Sequence, residues 1–195
     1  MDTYVLVHGA WHNGDLLKDV AEAIELDGHK VHLPTLKGNQ DGDSKNVGLD
    51  DAIDSLISYI NTNNIEDCIL VGHSYAGMVI TGAFDRLGKK FIKRLVYWNA
   101  FVPNPGESLN DMTPPEYISL FDQIVQKDGS VSLPFPIWRE AFINDGDLEL
   151  AQSTYKKLNP HPYKTFTDQI QLSQTPAEMQ IGKSYIVCQI GRAHV

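Results

Sequence analysis

Cys68-Ile69-Leu70-Val71-Gly72-His73-Ser74-Tyr75-Ala76-Gly77 is the stretch on which the reading turns. Four apolar residues closed by a glycine predict a strand over 68–71, buried on both faces. Helical spacing then runs over 74–86, so a helix is expected to start at the serine itself. A strand, a sharp turn and a helix around G-x-S-x-G lift a serine hydroxyl clear of a sheet, and small flanking residues let the two backbones pass. Gly72 fills the first small position; the second holds Ala76 rather than glycine, followed by Gly77, and a methyl still meets the steric demand. Gly-His-Ser between a strand and a helix also arises by chance, so position and context carry the assignment. Ser74 is the candidate nucleophile, at a helix N-terminus whose free N–H groups favour a developing oxyanion.

Outward from this turn, apolar runs alternate with helical spacing. Strands are expected at 4–7, 31–34 and 95–98. Leu16, Leu17, Val20, Ala21, Ile24 and Leu26 mark a helix over 15–26 that Gly28 stops, and Ile53, Leu56, Ile57 and Ile60 mark another over 50–61. Between them, 38–48 reads as a polar, Gly- and Asp-rich solvated loop. Alternation at this spacing implies βαβ units, hence an α/β fold: a mostly parallel sheet with flanking helices. After Val102 the pattern changes to weak helical stretches near 116–127, 137–143 and 148–158, with no strand between them, as expected of a helical cap insertion over one end of the sheet. Tyr185-Ile186-Val187-Cys188 resumes the strand pattern. The division is thus 1–102 for the N-terminal part of the core, 103–180 for the cap, 181–189 for a returning core strand and 190–195 for a tail.

The chain has 195 residues, 42% of them hydrophobic, and a formal net charge of −9. That suits one domain with a real core. Its acidity argues against nucleic acid or an anionic membrane as partner. Met1-Asp2-Thr3-Tyr4 has no basic leader, and no apolar run approaches the roughly 20 residues that span a bilayer. A cytoplasmic protein acting on a small molecule is expected, with oligomeric state left open. Cys68 and Cys188 read as small buried hydrophobes, without disulfide or metal spacing. Asp41-Gly42-Asp43 lacks the distant Glu of a calcium loop. No metal or organic cofactor is implied.

His8-Gly9-Ala10-Trp11 follows the first strand. Acyl transfer needs two backbone N–H donors on the carbonyl oxygen, and in α/β-hydrolases they come from this loop and from the residue after the nucleophile. That assigns Ala10 and Tyr75. A phosphate cradle is disfavoured: Gly9 to Gly14 has P-loop spacing, but Asp15 stands where Lys is required, and G-x-G-x-x-G is absent.

Val5-Leu-Val-His-Gly-Ala-Trp-His, Gly28-His-Lys-Val, Leu70-Val-Gly-His-Ser-Tyr-Ala-Gly-Met-Val and Ala100-Phe-Val-Pro resemble the α/β-hydrolases related to plant methyl-salicylate esterases and hydroxynitrile lyases. Bacterial carboxylesterases of the pyrethroid-hydrolase type are similar. The resemblance covers about the first 105 residues well and the cap in outline, and it places Ser74 as nucleophile with Ala10 and Tyr75 as oxyanion donors. Lyases of this group carry Thr at Gly9 and Glu at His73, so both positions favour an esterase.

In this fold a serine is followed by an acid and then a histidine. The acid is expected after the strand ending at Cys188 and the histidine one βα unit later; the chain carries neither. The C-terminal part of the fold is therefore expected to be missing. His194 sits on the same short segment as the missing acid, without the elements that would return it to the elbow, and is rejected. Ile190-Gly-Arg-Ala-His-Val195 matches one frame of a common sequencing adapter and is expected to be non-native. Asn99 stands where relatives often carry Asp, but an amide cannot stabilise an imidazolium by charge. Asp111 reads as a capping or solvated residue, and His29 and His32 as surface or edge residues. His161, between prolines, is expected to have no partner. His12 and His73 flank the site on the oxyanion side, where structural roles outweigh proton transfer. Trp11, His12 and Trp138 are candidate pocket residues. Tyr117, Phe121, Phe135, Trp138 and Phe142 serve either a pocket or the cap's own packing.

The expected function is a serine hydrolase cleaving small, fairly apolar carboxylic esters through an acyl-enzyme, in the full-length parent. This chain itself is expected to be inactive, with the strand near 188 an open, aggregation-prone edge. The alternatives are a hydroxynitrile lyase or cofactor-free oxygenase on the same scaffold, and a non-catalytic ligand-binding protein.

Overall fold

A computed structural model describes residues 1–188. The proposed tail and His194 lie outside the described residues.

Five parallel strands form the central sheet: β1 (Thr3–Val7), β2 (Lys30–His32), β3 (Cys68–His73), β4 (Ile92–Trp98) and β7 (Gly182–Ile186), in the order β2-β1-β3-β4-β7. Between them run α1 (Lys18–Leu26), α2 (Leu49–Thr62) and α3 (Ala76–Leu87). The α/β fold with its parallel sheet is as the alternation implies. From β1 the chain steps outward to β2, then returns to build β3, β4 and β7 on the other side. The carboxyl ends of β1 and β3 are therefore neighbours at the point where strand order reverses, where open α/β sheets bind their ligands.

One face of the sheet carries most of the core. Val5, Val7 and Leu70 pack there against Ile53, Leu56 and Ile60 of α2 and Met78, Val79 and Ile80 of α3, all nearly or fully buried. The other face meets α1 in a small cluster of Leu6, Leu17, Ala21, Val71 and Val96.

The elements differ from expectation in instructive ways. The first helix divides into a 3-10 turn, Gly14–Leu17, whose Asn13 side chain caps the Leu16 N–H, and α1 proper. α3 begins at Ala76, not at Ser74, because Ser74 has a φ of +55°, which a right-handed helix cannot contain. β4 starts at Ile92: Lys93 and Arg94 break the apolar run, but Lys93 pairs with Asp2 and Arg94 donates to Ser184 Oγ at 2.9 Å, so the strand continues through them. β7 is Gly182–Ile186 rather than 185–188, because its register against β4 ends at Trp98↔Ile186, where β4 itself ends. Cys188 therefore lies beyond the strand and is only half-buried, whereas Cys68 is fully buried; both are free.

Between β4 and β7 lies the helical cap: α4 (Pro115–Ile124), the single turn α5 (Phe135–Ile137), a π-helical turn over Trp138–Phe142, α6 (Leu148–Tyr155) and α7 (Lys164–Thr167). Two short strands interrupt it, contrary to expectation: β5 (Ser130–Val131) pairs antiparallel with β6 (His161–Pro162). A two-residue ladder has no sequence period, and it closes only because the cap folds back on itself.

The loop over 38–48 is not solvated throughout. Asn39 and Val47 are buried, and Gly38, with a φ of +87°, lies so close to Pro162 that any side chain would collide with it. The loop is the seat on which the cap rests.

Candidate active site

β3 runs straight into the elbow. Ser74 adopts the left-handed conformation, strained for a residue with a Cβ at a cost of about 1–3 kcal/mol. Its backbone is pinned on both sides: the N–H donates to the Trp98 carbonyl at 3.2 Å, and the carbonyl accepts from Phe101 N at 3.2 Å and Gly77 N at 3.0 Å. Three contacts with β4 and α3 thus hold a conformation that the residue alone would leave. Gly72 makes the turn possible: a Cβ there would sit 2.9 Å from the Ala76 carbonyl oxygen. At Gly77 a Cβ would collide with the Phe101 carbonyl, so glycine is required where the chain leaving β4 crosses α3.

The loop after β1 presses against this elbow. A Cβ on Gly9 would lie 3.2 Å from Ser74 Cβ and 3.0 Å from His73 Nδ1. Ala10 and Tyr75 follow on the two sides of this contact, both buried, and among the described residues neither backbone N–H finds an acceptor. Buried backbone donors are nearly always paired, so two open ones beside one serine invite a ligand oxygen. The Ser74 hydroxyl likewise makes no hydrogen bond among the described residues and is not sealed from solvent.

Four histidines surround the elbow. His8 is fully buried, with Nδ1 donating to the Gly9 carbonyl at 2.8 Å and Nε2 accepting from Leu36 N at 3.0 Å; burial pushes its pKa down to about 4. His73, 4.8 Å from the Trp98 ring, is also pushed down to about 4 by burial, with the nearby His12 and His8 adding to the effect. His12 donates from Nδ1 to the Ala10 carbonyl at 2.7 Å and is lowered by burial. Burial thus disfavours the charged form of all three, and among the described residues none is hydrogen-bonded to Ser74.

His161 does not lie unpartnered, as the sequence suggests. Its ring is fully buried, with Nδ1 2.8 Å from Asn39 Oδ1 and Nε2 2.9 Å from Thr165 Oγ1, and it packs 4.8 Å from the Tyr75 ring. No local pattern signals this role, because Asn39 is 122 positions away.

The three candidate pocket residues divide. Trp11, at a φ of +64°, donates its indole N–H to the Val131 carbonyl at 3.0 Å, accepts Asn159 N at 2.7 Å on its own carbonyl, and packs on Phe121, Phe142 and Phe166. It is a rivet between core and cap. Trp138 is also buried, with its indole N–H on the Ala151 carbonyl, and it stacks on Phe142 across the π turn. His12 alone of the three is half-buried; its ring lies 6.3 Å from His73 and 6.0 Å from Trp138. Phe121 is buried, and Tyr117 and Phe135 are partly buried against the core, so the cap aromatics chiefly pack the cap. Asn99 lies near the elbow with its Oδ1 buried and unpartnered. Asp111 caps a local turn by accepting Ser108 N and Oγ at 2.7 Å. Among the described residues no three His, Cys, Asp or Glu side chains gather as a metal site, and no helix is long and apolar enough to cross a membrane.

Comparison with known proteins bears on the fold and the family. An extracellular α/β-hydrolase from a Paenibacillus species, described as sharing structural and functional homology with tobacco salicylic acid binding protein 2, superposes with a TM-score of 0.90 at 32% identity, over 95% of this chain and 76% of that one. A carbendazim hydrolyzing esterase from a Nocardioides species is 45% identical over 58% of this chain and 48% of its own length. Methylesterase 18 of Arabidopsis thaliana is 25% identical over 98% of this chain and 80% of its own. The chain spans about half the length of several curated relatives it matches. The model of the alpha/beta hydrolase family matches residues 4–188, and the chain belongs to that family.

Proposed function

We propose that Ser74 is the nucleophile of a serine esterase acting on small, fairly apolar carboxylic esters. The observation that carries this reading is the strained serine facing two unpaired backbone donors, Tyr75 N–H and Ala10 N–H. The Ser74 oxygen attacks the ester carbonyl, and the two N–H groups receive the negative charge that develops on the carbonyl oxygen. The alcohol leaves, an acyl-serine remains, and water releases the acid. Attack requires a base for the serine proton. His8, His12 and His73 are each engaged or placed on the oxyanion side, so the reading requires a base from outside residues 1–188.

Esterases among the relatives support the substrate class. Trp11 and Trp138 serve this proposal by fixing the cap over the oxyanion loop, and His12 by bordering the substrate. Cytoplasmic placement remains part of the proposal from sequence alone, against an extracellular Paenibacillus relative; fractionation of the source cells decides it.

Fluorophosphonate labelling of the longest chain that the gene encodes tests the reading. Label on Ser74, lost in Ser74→Ala, is the expected result. A chain that remains unlabelled while folded overturns it and leaves the ligand-binding alternative.

A further inference from the structure

His12 occupies an unusual chemical position. Its Nδ1–H is committed to the Ala10 carbonyl at 2.7 Å, which fixes the tautomer and leaves Nε2 with a lone pair and no proton. That nitrogen accepts nothing from the described residues, yet it is not sealed away among the buried unpartnered atoms. The ring stands between the elbow, at 6.3 Å from His73, and the cap, at 6.0 Å from Trp138. It is two residues beyond Ala10, whose N–H is one of the two open donors.

An acceptor with a fixed tautomer, on the same loop as one of the two open donors, gives the site a polarity pattern. The donors suit the carbonyl oxygen of an ester. The acceptor suits an N–H or O–H group carried close to that carbonyl, and it offers nothing to a carboxylate or a second carbonyl. Burial lowers the His12 pKa below its ordinary value, which disfavours the protonated ring that would turn the acceptor into a donor. Of the other polar nitrogens nearby, both of His8 are used within the protein and His161 is bound to Asn39 and Thr165, while His73 makes no hydrogen bond among the described residues that would fix its tautomer.

We infer that His12 is a specificity-determining residue whose Nε2 accepts a hydrogen bond from the substrate, so that the site prefers neutral esters bearing an N–H or O–H donor beside the reacting carbonyl. This rests on the esterase reading of Ser74 and adds the substrate class. A site built to receive a donor rejects the analogue that lacks it, because its own polar group is then left desolvated and unpaired.

The test compares 4-nitrophenyl hydroxyacetate with 4-nitrophenyl methoxyacetate, each rate normalised to hydrolysis by hydroxide, on the full chain the gene encodes. The donor-bearing ester is expected to be favoured roughly tenfold in kcat/KM, the scale of one hydrogen bond in a desolvated site. In His12→Asn, where the amide N–H replaces Nδ1–H toward Ala10 but no acceptor stands at the Nε2 position, that ratio falls to about one; in His12→Phe it does likewise. A ratio near one in the natural chain, or one retained in His12→Asn, overturns the inference. A second measurement does not depend on turnover: the 15N resonance of His12 Nε2 shifts on adding 2-hydroxy-N-methylacetanilide and not on adding 2-methoxy-N-methylacetanilide, tertiary amides in which the hydroxyl is the one donor that differs. Equal shifts, or none, likewise overturn it. Ser74 left unlabelled by fluorophosphonate while the selective shift persists brings down the esterase reading and leaves the donor-accepting site standing.

Discussion

Gly9 and Ser74 stand so close that a methyl on the first would lie 3.2 Å from Cβ of the second. Two loops from different strands thereby share one van der Waals surface, and on the proposed reading that contact sets the spacing between the Ala10 and Tyr75 N–H groups. Gly9→Ala is expected to fold, since the neighbours need yield only a few tenths of an ångström. The loop is displaced in doing so, separating the two donors, and kcat falls about 10- to 100-fold, in line with disturbance of one oxyanion donor. Steady-state kinetics on the full chain check it; an unchanged kcat shows that the contact does not set the donor spacing.

The cap is locked to the core through His161. Replacing it with Phe keeps the ring but leaves the Asn39 side-chain carbonyl buried without its partner, which costs about 1–3 kcal/mol. Asn39→Leu together with His161→Phe is expected to recover part of that loss, because both polar ends are then gone. Urea titration of the single and double variants measures the coupling; strictly additive losses contradict a direct bond.

Stability also responds to pH through His8. Its folded pKa is about 4 against an ordinary 6.5, lowered by burial. Above pH 6.5 the ring is neutral folded or unfolded, and its burial carries no proton penalty. As pH falls from 6.5 toward 4, the unfolded chain takes up a proton that the folded chain refuses, and stability drops by up to about 3 kcal/mol. His8→Gln removes that proton, so its stability should change less between pH 7 and pH 5 than that of the natural chain. Denaturant curves at the two pH values decide this, and equal slopes count against it.

How far the sequence anticipates this site follows from the range of the contacts involved. That Ser74, Tyr75 and Ala10 lie near one another follows from each succeeding a short apolar strand, since strand order brings the ends of β1 and β3 together; their roles are those of the proposal. The cap seat is illegible: Asn39 lies in a segment of polar composition, and its burial depends on a histidine 122 residues away. The tie of Trp11 to the Val131 carbonyl is not foreseen, because an aromatic after a strand looks alike whether it faces substrate or pins a cap. The start of α3 is missed because helical periodicity does not register a single left-handed residue.

That residue supplies the last prediction. Ser74→Ala and Ser74→Gly both remove the hydroxyl, and both should abolish fluorophosphonate labelling. They differ in backbone: alanine keeps a Cβ at a φ of +55°, whereas glycine adopts that angle freely. Glycine also loses more chain entropy on folding, by roughly 0.5–1 kcal/mol, against a left-handed penalty of about 1–2 kcal/mol for a residue with a Cβ. Ser74→Gly is therefore expected to be the more stable of the two by up to about 1 kcal/mol, read from denaturant midpoints at equal slope. If alanine proves as stable as glycine, the elbow relaxes in solution, and the conformation that presents the Ser74 hydroxyl is not one the fold must hold against its own preference.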